Sequence, residues 1–368
     1  MQSSSGTSNM LGQAGRASTW HLRAVDLPDG ESVVDRWLGP SGWSTTPLAD
    51  AQPLPGGWAL VWLVDAHSHV SLVATPTGPR FGDAQEAERA RDAAAADGVA
   101  VLRDVGGDPQ VVLGLPVQPG RPHIVAAGRH LAPAGRYFPS AHLPVEPTDL
   151  VATALAEVAA GARWVKIVAD FSRADDPGHG QPPEPTYDLT VLAELVKKVH
   201  AAGARVAAHV TTEMARDLLR LGVDSVEHAP GLTQDDLVLL RNSRAAWVPT
   251  LCAVLSAPPD ASPDRLHRVA ERREHLRTLL ATAVASGIPV LTGSDGVGSI
   301  PREIALFVTL GVSPADALRC ATTTAMTWLG EDLTATPESV VTYLADPRED
   351  PEVLQSPAAV VLGGVRVR

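Results

Sequence analysis

From about residue 60 the chain alternates short apolar runs with longer amphipathic ones, and this alternation restricts the folds open to it. The apolar runs VWLVDA, VAVLRDV, HIVAAG, ARWVKIVA, ARVAAHV, VDSVEHA, AAWVPTL and IPVLTGS have strand length and are rich in β-branched residues. Between them lie helical patterns such as AQEAERARDAAAADG, DLVATALAEVAAG, TVLAELVKKVHAAG and EMARDLLRLG, then PDRLHRVAERREHLRTLLATAVASG and PREIALFVTLG. These runs close on glycine, the usual residue just past a helix end. Strands and helices in turn predict an α/β fold, a parallel (β/α)8 TIM-type barrel over residues 61–334. An open doubly wound sheet is the alternative, but no glycine-rich phosphate-binding turn follows the first run.

The flanks read differently. Residues 21–60 and 335–368 carry short β-like runs separated by turns, and predict one small β-rich domain built from both ends. Residues 1–20 read as a disordered leader, since no basic segment precedes an apolar core as in a secretory signal. The run WALVWLV is too short to span a bilayer. Cys252 and Cys320 each stand alone in an apolar context, which argues against a disulfide framework or a cysteine-based zinc site. A net charge of -12 argues against nucleic acid or an anionic membrane as partner. The expected partner is a small-molecule substrate and the expected location cytoplasmic, with homo-oligomerisation left open.

Barrels of this kind carry their chemistry at the C-terminal ends of the strands. Reading those ends in order gives His67 and His69, then Lys166, His209, His228 and Asp295. His67 and His69 are one residue apart, so in a strand they face the same side. Of the chain's 12 histidines, His200, His267 and His275 fall on helices and read as surface residues. Each mouth residue alone has an ordinary explanation: a core histidine, a lysine reaching for solvent, an aspartate in a turn. Together, in mouth register on separate strands, they point to a metal site. Imidazole and carboxylate suit zinc or a similar first-row divalent ion. Lysine joins such a set only as a carbamate formed from its neutral amine and carbon dioxide, which presents oxygens to a cation.

The ordered set VDAHSH, WVKIV, VAAHV, VEHAPG and TGSDG resembles the metal-dependent amidohydrolase superfamily. VLRDVGG and ADALRCATTTAMTWLG also resemble its prolidase-like and imidazolonepropionase-like branch. The resemblance implies a binuclear centre, with His67, His69 and Asp295 on one ion and His209 and His228 on the other. Carbamylated Lys166 and a hydroxide would bridge the two ions. It implies attack of that hydroxide on an amide carbonyl, with Asp295 as the catalytic base and then acid. Asp65 and Glu227, each close to a ligand in sequence, are candidates to brace the ligands from behind.

The implied activity is hydrolysis of an amide C–N bond in a small molecule, either linear (an N-acyl amino acid or dipeptide) or cyclic. The same centre hydrolysing an ester, lactone or phosphoester is a second reading, and a non-catalytic binding scaffold a third. Departures from the family pattern lie on the substrate side, at Ala169-Asp170-Phe171, at Arg136 and Tyr137, and at Ile300-Pro301-Arg302-Glu303. The lead-in PGGWALVWLVDAHSH is also longer than usual. No substrate-binding residue is assigned from sequence.

Overall fold

The computed structural model describes residues 19–76, 78–173, 182–330 and 338–368. Nearly all of the expected leader, residues 174–181 beyond the run ARWVKIVA, and residues 335–337 of the C-terminal segment lie outside these residues. The fold is mixed α/β, and its central parallel sheet curls in two segments. One segment pairs Leu63–Ser68, Val99–Asp104 and His123–Ala126. The other pairs His130–Leu131, Trp164–Val168, Arg205–Val210, Ser225–His228 and Ala246–Val248. These strands are buried along almost their whole length because helices cover one face and side chains fill the other.

Single backbone bonds join the two segments. On one side the Arg163 amide donates to the Ala126 carbonyl at 3.0 Å. On the other, the run IPVLTGS departs from expectation: it makes one isolated bridge, Trp247 to Val290, rather than a regular strand. Its amides and carbonyls still reach both neighbours. Leu291 donates to Trp247 at 3.0 Å, Ala66 donates to Thr292 at 2.9 Å, and Asp295 donates to His67 at 2.8 Å. The irregularity follows from Gly293, where a Cβ would stand 2.5 Å from the His67 Cβ. Side chains there have no room, so the backbone itself packs against the first strand.

The helices arise where the sequence patterns end in caps. Ala84–Ala96 begins in a capping box between Asp83 and Glu86. Leu189–Ala201 and Ile300–Thr309 turn their apolar stripes inward, burying Leu192, Leu195 and Val199 in the first and Ile304 and Phe307 in the second.

Both ends of the chain meet in a second sheet containing Trp20–Asp26, Val33–Gly39, Trp58–Leu60, Val340–Tyr343 and Ala359–Leu362. Its alternation sorts residues between two cores. Ala59, Val340, Ala359 and Val361 pack with Trp20 and Leu38, whereas Leu60, Val341, Val360 and Leu362 join the large core of the parallel sheet. Register fixes this, because Val340 opposes Val361 and Val341 opposes both Val360 and Leu60. No helix among the described residues is long and apolar enough to cross a membrane.

Gly98 marks one contact between these parts. It ends the first helix at φ +88°, and an added Cβ would lie 2.5 Å from Val341 Cγ2. Gly161 ends its helix at φ +111° with nothing within 4 Å. A left-handed L-residue costs about 1–2 kcal/mol at either position. Gly98→Ala is therefore expected to lower the thermal unfolding midpoint clearly more than Gly161→Ala, and equal midpoints contradict the packing described.

Candidate metal centre

Parallel pairing sets the strand ends side by side. His209 opposes Val168 on one neighbour and Glu227 on the other, and His228 opposes Val210. The histidines thus reach one rim because the register is continuous across three strands. The irregular segment ending in Asp295 is bonded to the first strand at His67 and so delivers its carboxylate to the same rim.

There the side chains converge. His67, His228 and Asp295 each offer one ligand atom, all within 4.8 Å of one another. His67 Nε2 lies 3.2 Å from Asp295 Oδ1, and His69 Nε2 lies 3.1 Å from the same oxygen. The His228 ring stands 4.8 Å from that of His67 and 4.6 Å from that of His209, centroid to centroid. Lys166 is almost fully buried on the strand beside His209, with His130 opposite it in register. The structure therefore brings His67, His69, His228 and Asp295 into direct contact. His209 joins them through the His228 ring, and Lys166 is buried on the adjoining strand.

Burial sets the protonation of this group. It pushes His228 down to about 3 and His209 well below the usual imidazole range, so both rings are neutral with a lone pair to donate. It also lowers Lys166 to about 8, which enlarges the share of free amine near neutral pH. For Asp295 burial works toward the neutral acid, but His228 and His67 outweigh it and hold the carboxyl well below its usual range. For His69 burial again disfavours the cation, and Asp295 more than offsets it.

A supporting layer holds each ring from behind. Glu227 Oε2 lies 2.6 Å from His67 Nδ1, and Glu227 Oε1 accepts from Arg103 at 2.8 Å. Arg103 also donates to the Ala66 carbonyl at 2.6 Å and to Ser225 Oγ at 2.9 Å, with its guanidinium 4.5 Å over the Trp164 ring. His69 Nδ1 faces the Gly106 carbonyl at 2.7 Å, and His228 Nδ1 meets Thr250 Oγ1 at 2.6 Å. Asp65 Oδ1 accepts from the amides of His67 at 3.1 Å and Ser294 at 3.0 Å, which ties the first strand to the turn carrying Asp295. His228, Thr250 and Asp295 all hold left-handed backbone conformations without being glycine, a concentration of strain at this rim.

These contacts test whether the residues suit a cation. With Nδ1 engaged by Glu227, His67 Nε2 is buried and has no hydrogen-bond partner, although a carboxylate oxygen is 3.2 Å away. An unpartnered imidazole nitrogen beside a carboxylate and a second imidazole is the donor set a divalent ion needs. The residues fit.

Sequence reasoning overlooked Arg103, Asp104, Thr250 and His130. Arg103 and Asp104 stood inside VLRDVGG, where a buried arginine in an apolar strand runs against ordinary burial. Asp104 accepts from the amides of Val70 at 2.8 Å and Gly106 at 3.1 Å, and so shapes the loops around His69. His130 is buried with both ring nitrogens unpartnered, 5.2 Å from the His69 ring. Thr250 left no signal beyond its place near the end of the seventh run, AAWVPTL.

The substrate-side departures prove partly structural. Asp170 accepts from the amides of Thr211 and Thr212, just past His209. Arg136 donates to the carbonyls of Phe171 and Glu184, and Glu303 accepts from the amides of Leu251 and Cys252. Tyr137 instead lines a cavity of about 430 Å³ that opens onto His69, His209, His228 and Asp295.

No protein-family model matches the chain. It is 35% identical over 367 residues to an uncharacterized protein of Mycobacterium tuberculosis and to one of Mycobacterium bovis, covering 95% of this chain and 96% of each relative. A Xaa-Pro dipeptidase with bound methionine in its active site superposes with a TM-score of 0.75 at 18% identity, covering 95% of this chain and 99% of that one. Aspergillus niger ochratoxinase gives 0.75 at 17% identity, covering 95% and 96%. Atrazine chlorohydrolase from Arthrobacter aurescens, complexed with zinc, gives 0.60 at 13% identity, covering 94% of each chain.

Thr250→Val keeps the shape of the side chain but removes the partner of His228 Nδ1. Zinc affinity, read by competition with a chromogenic chelator, is expected to fall by about 10- to 100-fold with the fold retained. Unchanged affinity contradicts a role for His228 in holding a cation.

Proposed function

The chain belongs to one family with these mycobacterial proteins and has the fold of the metal-dependent amidohydrolases. On that premise we propose that it is a metal-dependent hydrolase of amide C–N bonds in small molecules. The observation that carries this reading is the unpartnered His67 Nε2 facing Asp295 and His228, two residues that line the neighbouring cavity. The zinc present in the atrazine chlorohydrolase structure supports the choice of ion.

In this reading the two sheet segments form one closed (β/α)8 barrel, supported by the Ala66–Thr292 and Arg163–Ala126 bonds. His67, His69 and Asp295 would hold one divalent ion and His209 and His228 a second, with Lys166 as a carbamate ligand. Divalent ions bound there supply polarisation of the scissile carbonyl and activation of water at neutral pH. Asp295, partly accessible and kept anionic, takes a proton from the attacking water and returns it to the departing amine nitrogen. Glu227 orients His67, and Arg103 in turn neutralises Glu227, holding its carboxyl well below the usual range against the effect of burial.

The cavity narrows the substrate. Tyr137, Phe138 and Phe171 form an aromatic wall with ring centroids 5.0 to 5.3 Å apart. Among the described lining residues Arg272 alone is a permanent cation; it donates to the Val254 carbonyl at 3.0 Å and has no carboxylate partner among the described residues. An apolar wall with one unpaired guanidinium suits an N-acyl amino acid or dipeptide with a bulky apolar side chain and a free carboxylate. The Xaa-Pro dipeptidase and ochratoxinase likenesses support that class.

Asp295→Asn is expected to lower kcat on such substrates by roughly a thousandfold while the thermal midpoint is kept. Surviving turnover removes Asp295 from the proton path. Arg272→Gln is expected to raise KM for N-acyl-phenylalanine roughly tenfold with kcat little changed. The corresponding C-terminal amide should not respond. Equal effects on acid and amide contradict carboxylate recognition by Arg272.

A further inference from the structure

A second cavity, of about 940 Å³, opens at the opposite end of the same strands. It is lined at the beginnings of the strands by Arg205, Asp224 and Ala245, whereas His209 and His228 lie at the ends of two of those strands. At a strand rise of about 3.3 Å per residue the two cavities are separated by roughly a strand length. Nothing in the proposed hydrolysis uses this end of the fold.

Its charge is unusual for the molecule. In a chain of net charge -12 this cavity gathers Arg205, Arg241 and Arg244 against a single carboxylate, Asp224. That carboxylate is already engaged, since Asp224 Oδ2 lies 2.8 Å from His200 Nε2 and accepts from the Val206 amide at 2.7 Å. Arg241 and Arg244 make no ion pair among the described residues. Thr323, Thr324 and Thr327 add hydroxyls to the same wall.

The guanidinium of Arg205 and the backbone of Arg244 are held in place. Arg205 donates to the Trp328 carbonyl at 3.0 Å and lies 5.4 Å from the Trp164 ring centroid and 5.6 Å from that of Trp328. Arg244 closes the helix Gln234–Ser243 at φ +60°, a conformation that glycine takes without strain. Its carbonyl accepts from Trp328 Nε1 at 3.2 Å. A strained arginine stands where a glycine would serve the backbone better, and its side chain adds positive charge to a cavity that already holds some. Like charges gathered this way repel unless an anion joins them.

We infer that this cavity is a binding site for a small polyanion bearing phosphoryl groups. Planar guanidinium forks match phosphate oxygens in pairs, hydroxyls donate to the remaining ones, and the volume exceeds what a single tetrahedral ion needs. Trp328, half-buried in the same wall, would be the aromatic neighbour of a base if the phosphoryl groups belong to a nucleotide.

The test is calorimetric titration of the metal-loaded full chain with inorganic pyrophosphate at constant ionic strength, beside the double variant Arg241→Gln/Arg244→Gly. Glycine relieves the strained backbone, so the variant should fold, and neither residue belongs to the hydrolytic site. Any removal of metal by pyrophosphate affects both proteins alike, and the difference between them reads the cavity. The expected result is binding to the natural chain, weakened roughly tenfold or more in the variant, with basal hydrolysis unchanged. Tighter binding of adenosine diphosphate than of pyrophosphate identifies a nucleotide; equal affinity identifies phosphate alone. No binding to the natural chain at millimolar pyrophosphate, equal binding by both proteins, or stronger binding of citrate overturns the inference.

Discussion

The buried contact between Glu227 and its two partners is the interaction on which the site depends. Placing a carboxylate and a guanidinium in a fully enclosed strand layer is costly, and removing either partner leaves an uncompensated charge. Arg103 and His67 meet opposite oxygens of Glu227, while Ser225, Ala66 and the Trp164 ring take up the remaining valences of Arg103. With Nδ1 of His67 engaged, its other nitrogen faces Asp295 and His228. One polar network thus links strands far apart in sequence and aims the imidazole that opens the cation site.

The same logic recurs around the rim. Asp65 and Asp104 serve no cation directly; they collect backbone amides from loops that would otherwise have no reason to hold their shape. Asp170 does likewise for the loop after His209, and Glu303 for the start of the short helix after Thr250. Buried carboxylates that accept amides convert flexible connections into fixed ones. Left-handed residues at His228, Thr250 and Asp295 are tolerated because these bonds over-determine the backbone there.

How much of this was legible before the structure depends on the kind of signal. Strand ends carrying His67, His209 and His228 were readable because periodicity marks where an apolar run stops, and polar residues at such stops stand out. Arg103 was hidden for the opposite reason: it sits mid-strand, where sequence pattern expects an apolar side chain. The eighth strand was readable as an apolar run, but its irregular backbone follows from the close approach of Gly293 to His67, a contact no local pattern encodes. The sharing of Val340, Val341, Val360 and Val361 between two cores was equally invisible, since alternation cannot say what lies on either face.

All of this turns on whether these side chains surround a divalent cation. That is tested most directly by crystals grown with zinc and measured on both sides of the zinc absorption edge. An anomalous peak is expected within coordination distance of His67 Nε2, His69 Nε2 and Asp295, with a second beside His209 and His228. Full-occupancy zinc elsewhere, with density at this rim showing His67 Nε2 bonded to Asp295 alone, would contradict it.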